Sequence, residues 1–99
     1  MSFDEKVWQL LRKIPKGKVT TYKILAKAAG KPKAARAVGN ACNKNHFSPK
    51  VPCHRVVKSS GFIGGYAHGT AKKIKLLELE GVSIKGQKIQ NFKEFLFKF

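Results

Sequence analysis

Residues 21–43 read TYKILAKAAGKPKAARAVGNACN, two short helical patterns on either side of a Gly30-Lys31-Pro32 break. A threonine just before Tyr22 can cap a helix over Tyr22–Ala29, and Gly30 stands where a helix closes with left-handed backbone. Proline suits the start of a helix, so a second one is expected over Lys33–Asn43 with Pro32 in its first turn. Two short helices joined by so tight a link form a helix-turn-helix. In the second, Ala34, Ala35, Val38, Ala41 and Cys42 share one face, and Arg36, Asn40 and Asn43 share the other. Ala37 and Gly39 lie toward the exposed side. An outward face made of one arginine among very small residues suits a nucleic-acid groove, and it also suits close packing on another helix. The pattern leaves both readings open.

Upstream, Ser2-Phe3-Asp4-Glu5 has the spacing of a capping box, with Ser2 as cap and Glu5 reaching back. Phe3, Val7, Leu10, Leu11 and Ile14 then recur at helical spacing, with Trp8 widening the stripe, until Pro15 and Gly17 end it. Downstream, Asn43–Lys50 is a polar link, and Val56-Val57 a short β-like run. Phe62–Gly69 is glycine-rich around Tyr66 and His68. Thr70 is expected to cap a helix over Ile74, Leu76, Leu77 and Leu79 that Gly81 ends. Glu80 then falls in its last turn, where the helix dipole disfavours a carboxylate by ~0.3–1 kcal/mol and a cationic or imidazole partner would offset it. A turn around Lys85-Gly86-Gln87 follows, and Phe92, Phe95, Leu96 and Phe99 are expected to return to the core. Many helices with few short strands give a mainly α fold, a winged-helix-like helix-turn-helix domain with short β elements.

Twenty-one Lys and Arg face five Asp and Glu, a formal net charge of +16. Such a balance favours polyanions, nucleic acid before an anionic membrane surface. No apolar run approaches the ~20 residues that span a bilayer. The N-terminus lacks a signal-peptide layout, so an intracellular, cytoplasmic protein is expected. Two cysteines, Cys42 and Cys53, are too few for a disulfide scaffold. His46, His54 and His68 do not complete any zinc spacing with them, so no metal is expected.

The chemistry concentrates in Pro52-Cys53-His54-Arg55-Val56. Cationic neighbours favour a thiolate, yet a cysteine in an apolar setting is equally at home as inert core. On extended backbone Cys53 and His54 would face opposite ways, so a turn or a bridging water is needed to couple them. The residues alone leave nucleophile and core cysteine as alternatives.

Pro52-Cys53-His54-Arg55-Val56-Val57 resembles the signature of the O6-alkylguanine-DNA alkyltransferases, the methylated-DNA–protein-cysteine methyltransferases. The resemblance extends to Pro32-Lys33-Ala34-Ala35-Arg36-Ala37-Val38-Gly39, to Asn45, to Gly64-Gly65-Tyr66, and to Leu76-Leu77 before Glu80-Gly81. It implies a single-turnover DNA-repair transferase that moves an alkyl group from guanine O6 in duplex DNA to Cys53, without a cofactor. It implies His54 as the base acting on the thiol through a water, Glu80 as the carboxylate orienting it, and Asn45 as a brace for the preceding segment. Tyr66 and Lys73 are implied at the base pocket with Val56, Tyr66 donating to the leaving guanine and Lys73 holding the loop. Tyr22 and Arg36 are implied to turn the nucleotide out of the stack, with Lys33, Ala35, Ala37, Gly39 and Asn40 on a helix that enters the minor groove.

The sequence also departs from the family pattern. The family's usual N-terminal α/β domain, with its zinc in some members, has no counterpart, so residues 1–99 are expected to form one catalytic and DNA-binding domain, monomeric and nucleoid-associated. Ala67 stands where many relatives carry serine, so one hydrogen bond to O6 is expected to be missing. A subgroup, the alkyltransferase-like proteins, binds lesions without repairing them and lacks the cysteine. A lesion sensor is therefore the alternative reading, followed by a helix-turn-helix regulator.

Overall fold

Ser2 caps the first helix, α1 (Phe3–Leu11), by the reciprocal bonds its sequence calls for: its hydroxyl accepts from the Glu5 amide at 3.1 Å, and Glu5 accepts from the Ser2 amide. The computed structural model describes residues 2–45 and 50–99. Part of the expected Asn43–Lys50 link, and His46, lie outside the described residues. Val7 and Leu11 bury the inner stripe of α1, and two tight turns then carry Ile14 into the same core. Trp8 lies half-buried across it and donates its indole N–H to the Ala41 carbonyl at 2.8 Å.

The chain then forms strand β1 (Thr20–Thr21) and enters α2 (Tyr22–Ala28) without a loop. Thr21 is the cap, its hydroxyl accepting from the Ile24 amide at 3.0 Å. Gly30 closes the helix at φ +85°, and α3 follows over Ala35–Asn43. The expected proline start is corrected here. Lys31 to Ala34 form a turn closed by the Ala34 amide on the Lys31 carbonyl, so Pro32 and Lys33 precede the helix. Lys31 already donates its amide to the Ala26 carbonyl to finish α2, which leaves no room for an immediate second start. Val38, Ala41 and Cys42 bury the inner face of α3, Ala34 and Ala35 are half-buried, and Arg36, Asn40 and Asn43 are exposed.

Strand β2 (Val56–Val57) pairs in parallel with β1, Thr20 opposite Val56 and Thr21 opposite Val57. Successive strand residues face opposite ways. Accordingly Val56 joins the core under α1, α2 and α3, while Val57 joins a second cluster with Val19, Ile63, Leu77, Val82 and Ile89. Helix α4 (Thr70–Leu79) supplies Leu77 to that cluster. Its cap is Gly69, in left-handed backbone at φ +98°, one residue before the expected cap Thr70, which is the first residue of the helix. The hairpin β3 (Ile84–Lys85) and β4 (Lys88–Ile89) turns at Gly86, and the four-residue helix α5 (Phe92–Phe95) packs Phe92 and Phe95 on the second cluster. Beyond Phe95 the backbone becomes extended, bridging Leu96 to Val19. Helical spacing therefore stops applying: Phe97 reaches the first core, whereas Phe99, expected to be buried, is 42% exposed. The result is a mainly helical, winged-helix-like helix-turn-helix fold with short strands. Among the described residues no helix is long and apolar enough to cross a membrane.

Candidate active site

Cys53, His54 and Arg55 form one turn of 3-10 helix, its first residues tied by the Cys53 amide to Val51 and the Arg55 amide to Pro52. This turn replaces the extended geometry that would have set thiol and imidazole on opposite faces. Cys53 is 4% exposed and His54 1%. The Asn45 side-chain amide donates to the Val51 carbonyl at 2.6 Å, fastening the approach to the turn from the end of α3.

Glu80 caps the C-terminus of α4, and the turn brings His54 to it. His54 Nε2 lies 3.0 Å from Glu80 Oε2. Arg55 donates Nε to Oε1 at 3.0 Å and Nη2 to Oε2 at 2.7 Å, and its Nη1 donates to the Ile14 carbonyl at 2.8 Å. The opposing ends of the site are held by Lys73, which is fully buried and donates Nζ to the Val56 carbonyl at 2.6 Å and the Gly65 carbonyl at 3.1 Å. Burial drives the Lys73 amine down to about 8.

Cys53 faces a cavity of about 340 Å³ lined also by Tyr22, Gly39, Cys42, Asn43, Gly65, Tyr66 and Ala67. Of the residues given a part in the site from sequence, Tyr22, Gly39, Cys53, Tyr66 and Ala67 meet there. Tyr66 stands edge-on to His54, ring centroids 6.5 Å apart, and edge-on to His68 at 5.3 Å. Gly64 adopts φ +76°, a backbone conformation that favours glycine, beside the Tyr22 ring. Burial, reinforced by the two nearby sulfurs, pushes the Tyr22 phenol up to about 12. Val56 is buried in the core rather than at the cavity, while Lys33, Arg36 and Asn40 stand outside on exposed surface.

Arg36, Gly39 and Asn43 are three and seven residues apart and so form one stripe of α3, with the arginine about 10 Å along the axis from Asn43. The last two line the cavity, so that stripe runs to its mouth. The sequence placed Cys42 on the inner face of a helix and Arg55 among the cations beside the thiol, without a direct part in the site for either. Cys42 lies on the inner face of α3 like Val38, a position that reads as plain core. Burial first, then the neighbouring Cys53, pushes its thiol up to about 12. Arg55 was quoted in the signature, but its partner is 25 residues away.

The same network sets the response to acid. Burial lowers the basicity of His54 below the ordinary imidazole value of 6.5, against the opposing pull of Glu80. Burial alone would raise Glu80, but the hydrogen bonds from Arg55 and His54 outweigh it and hold the carboxyl below 4.5. Both groups therefore bind fewer protons folded than unfolded in their titration ranges. Their stabilisation is full above about pH 6.5 and is lost as the pH falls through the folded values, His54 first and Glu80 after it. Urea midpoints are expected to be flat just above pH 6.5 and to drop steadily below it. A His54→Gln variant should lose the upper part of that drop.

The chain has similar counterparts among known proteins. A "Methylated-DNA--protein-cysteine methyltransferase" of Methanosarcina acetivorans is 49% identical over 79 residues, covering 80% of this chain and 51% of the relative. The "Bifunctional transcriptional activator/DNA repair enzyme Ada" of Escherichia coli strain K12 is 48% identical over 79 residues, 80% of this chain and 22% of that protein. The chain thus spans about half the length, or less, of these curated relatives. Among solved structures, S. pombe Atl1 in complex with damaged DNA containing O6-carboxymethylguanine superposes with a TM-score of 0.87 at 37% identity, covering 97% of this chain and 94% of that one. Mycobacterium tuberculosis OGT in complex with DNA gives a TM-score of 0.79 at 45% identity over 81% of this chain and 50% of that one. Residues 2–82 match the family described as "6-O-methylguanine DNA methyltransferase, DNA binding domain", and the chain belongs to that family.

Proposed function

We propose that this protein binds duplex DNA containing O6-alkylguanine and transfers the alkyl group to Cys53. The observation that carries the reading is a single juxtaposition. Cys53 faces the cavity from the same turn that presses His54 against an ionised Glu80. An imidazole held neutral by burial is a competent base. It takes the thiol proton through a bridging water, and Glu80 steadies the imidazolium that results. The thiolate sulfur attacks the alkyl carbon, the bond from that carbon to O6 breaks, and guanine leaves with the electron pair. Tyr66, at the cavity wall, donates a proton toward the leaving base. The product on Cys53 is a stable thioether, so each molecule reacts once.

Asn45 and Lys73 brace the two sides of this site, on the Val51 carbonyl and on the Val56 and Gly65 carbonyls. Tyr22 and Arg36 bring the base to it: the tyrosine rotates the nucleotide and the arginine fills the vacated place in the stack. Lys33, Ala35, Ala37, Gly39 and Asn40 belong to the surface that meets the minor groove, where small side chains permit close approach.

Lesion recognition without transfer is the second reading, favoured by the near-complete overlap with Atl1. The presence of Cys53 in the cavity supports transfer over it. Incubation with a duplex bearing O6-methylguanine, followed by intact-mass and peptide analysis, separates the two. One methyl on Cys53 is the expected result. Preferential binding of the lesion with no mass change would establish the sensor.

A further inference from the structure

Arg55 has no part in the scheme above, yet its guanidinium makes three hydrogen bonds at the heart of the site. Two run in parallel to Glu80 and one to the Ile14 carbonyl. Glu80 Oε2 consequently accepts from Arg55 and faces His54 Nε2 at once. Arg55 and Glu80 are largely shielded from water, with side chains 15% and 10% exposed. Gly17 closes the corner, since a β-carbon there would lie 3.1 Å from the Glu80 carbonyl oxygen, so the turn after α1 packs directly over that residue.

We propose that Arg55 is a positioning residue that fixes the tautomer of His54 and keeps its imidazole neutral until the thiol proton arrives. This rests on the alkyl-transfer reading of the site. A two-point fork from a guanidinium matches the plane of a carboxylate and favours its ionised form. An ionised carboxylate is an acceptor only. The His54 nitrogen facing it must then be the one that carries hydrogen, which places the lone pair of the neutral ring on Nδ1. Nδ1 is buried and has no hydrogen-bond partner among the described residues. It is the atom free to act as base. An arginine also matters through its charge. The charged and titratable groups around His54 are Glu80 and Lys73 from α4, Arg55 and Cys53 from its own turn, and Tyr66 from the glycine-rich loop. Glu80 alone pulls the ring toward the cation, and the guanidinium on the same carboxylate offsets that pull.

Three measurements test this. In the wild type, nitrogen-15 NMR of the imidazole is expected to show hydrogen on Nε2 and none on Nδ1 of neutral His54. The opposite tautomer would overturn the proposal. In Arg55→Met the His54 titration midpoint is expected to move up by about one pH unit, as for an imidazole left beside an uncompensated carboxylate. The acid limb of the methyl-transfer pH–rate profile should move with it. Transfer would fall by about tenfold on the acid side and recover above the new midpoint. Arg55→Lys, which keeps the charge and loses the fork, should fall between the two. A uniform loss of rate at every pH with an unmoved His54 midpoint would mean that Arg55 only anchors Ile14, and would also overturn the proposal. Should Arg55→Met fail to fold, the tautomer spectrum and Arg55→Lys still decide. Should the wild type transfer no methyl, the reading of the site fails while the titration of the free protein continues to judge Arg55.

Discussion

Cys53→Ser is expected to take no methyl from O6-methylguanine DNA while still binding the lesion duplex in preference to undamaged DNA. A serine hydroxyl is close in size to the thiol it replaces but is a far weaker nucleophile beside an imidazole base unless a complete acyl-transfer machinery surrounds it. Cys53 is nearly buried and belongs to the core under α1 to α3. The new hydroxyl therefore costs about 1–3 kcal/mol if it finds no partner. Cys53→Ala serves as the apolar control, and a circular-dichroism melt of both variants separates lost chemistry from lost fold. Gel-shift and intact-mass measurements on the same samples check the prediction. A methyl adduct persisting in Cys53→Ser would move the acceptor to Cys42, the other thiol on the cavity wall.

The second large effect concerns delivery of the base. Arg36→Ala is expected to slow methyl transfer from a duplex by about tenfold to a hundredfold, because extrusion costs a few kcal/mol that a filling side chain partly offsets. Reaction with free O6-benzylguanine, which needs no extrusion, should stay within about twofold of wild type by the same reasoning. Arg36 is exposed on α3 and does not line the cavity, so its removal leaves the wall around Cys53 intact. Equal losses on both substrates would place the arginine in the chemistry instead of in the opening of the duplex.

Features set by neighbouring residues could be read from the sequence, and features set across the chain could not. The capping box at Ser2 and Glu5, the Thr21 cap and the Gly30 stop depend on a few adjacent positions, and all occur where the spacing puts them. Pro32 shows the limit of such rules: proline tolerates both a first helical turn and a preceding β-turn, and the end of α2 settled which. The Thr70 cap moved by one residue because Gly69 can take the left-handed backbone that the loop demands. Pairing of β1 with β2 joins positions 36 apart through two residues on each side, too short a run to leave a pattern. The oddly placed carboxylate of Glu80 did announce a partner. That it would have two, His54 and Arg55, followed only from the 3-10 turn that aims both at it. Residue spacing alone makes Lys73 one more surface lysine, and only the resemblance implied a place for it at the loop; it is fully buried and donates to carbonyls of the glycine-rich loop and of β2.

The chain contains one tryptophan. Its indole is bonded to the carbonyl of Ala41, on the buried face of the helix whose other face carries Arg36. Indole emission depends on the polarity and hydrogen bonding around the ring, so Trp8 acts as an optical gauge on α3. Any tilt of that helix as DNA seats itself would alter the emission of an unmodified protein. Stopped-flow fluorescence could therefore time the arrival of the duplex separately from the slower appearance of product.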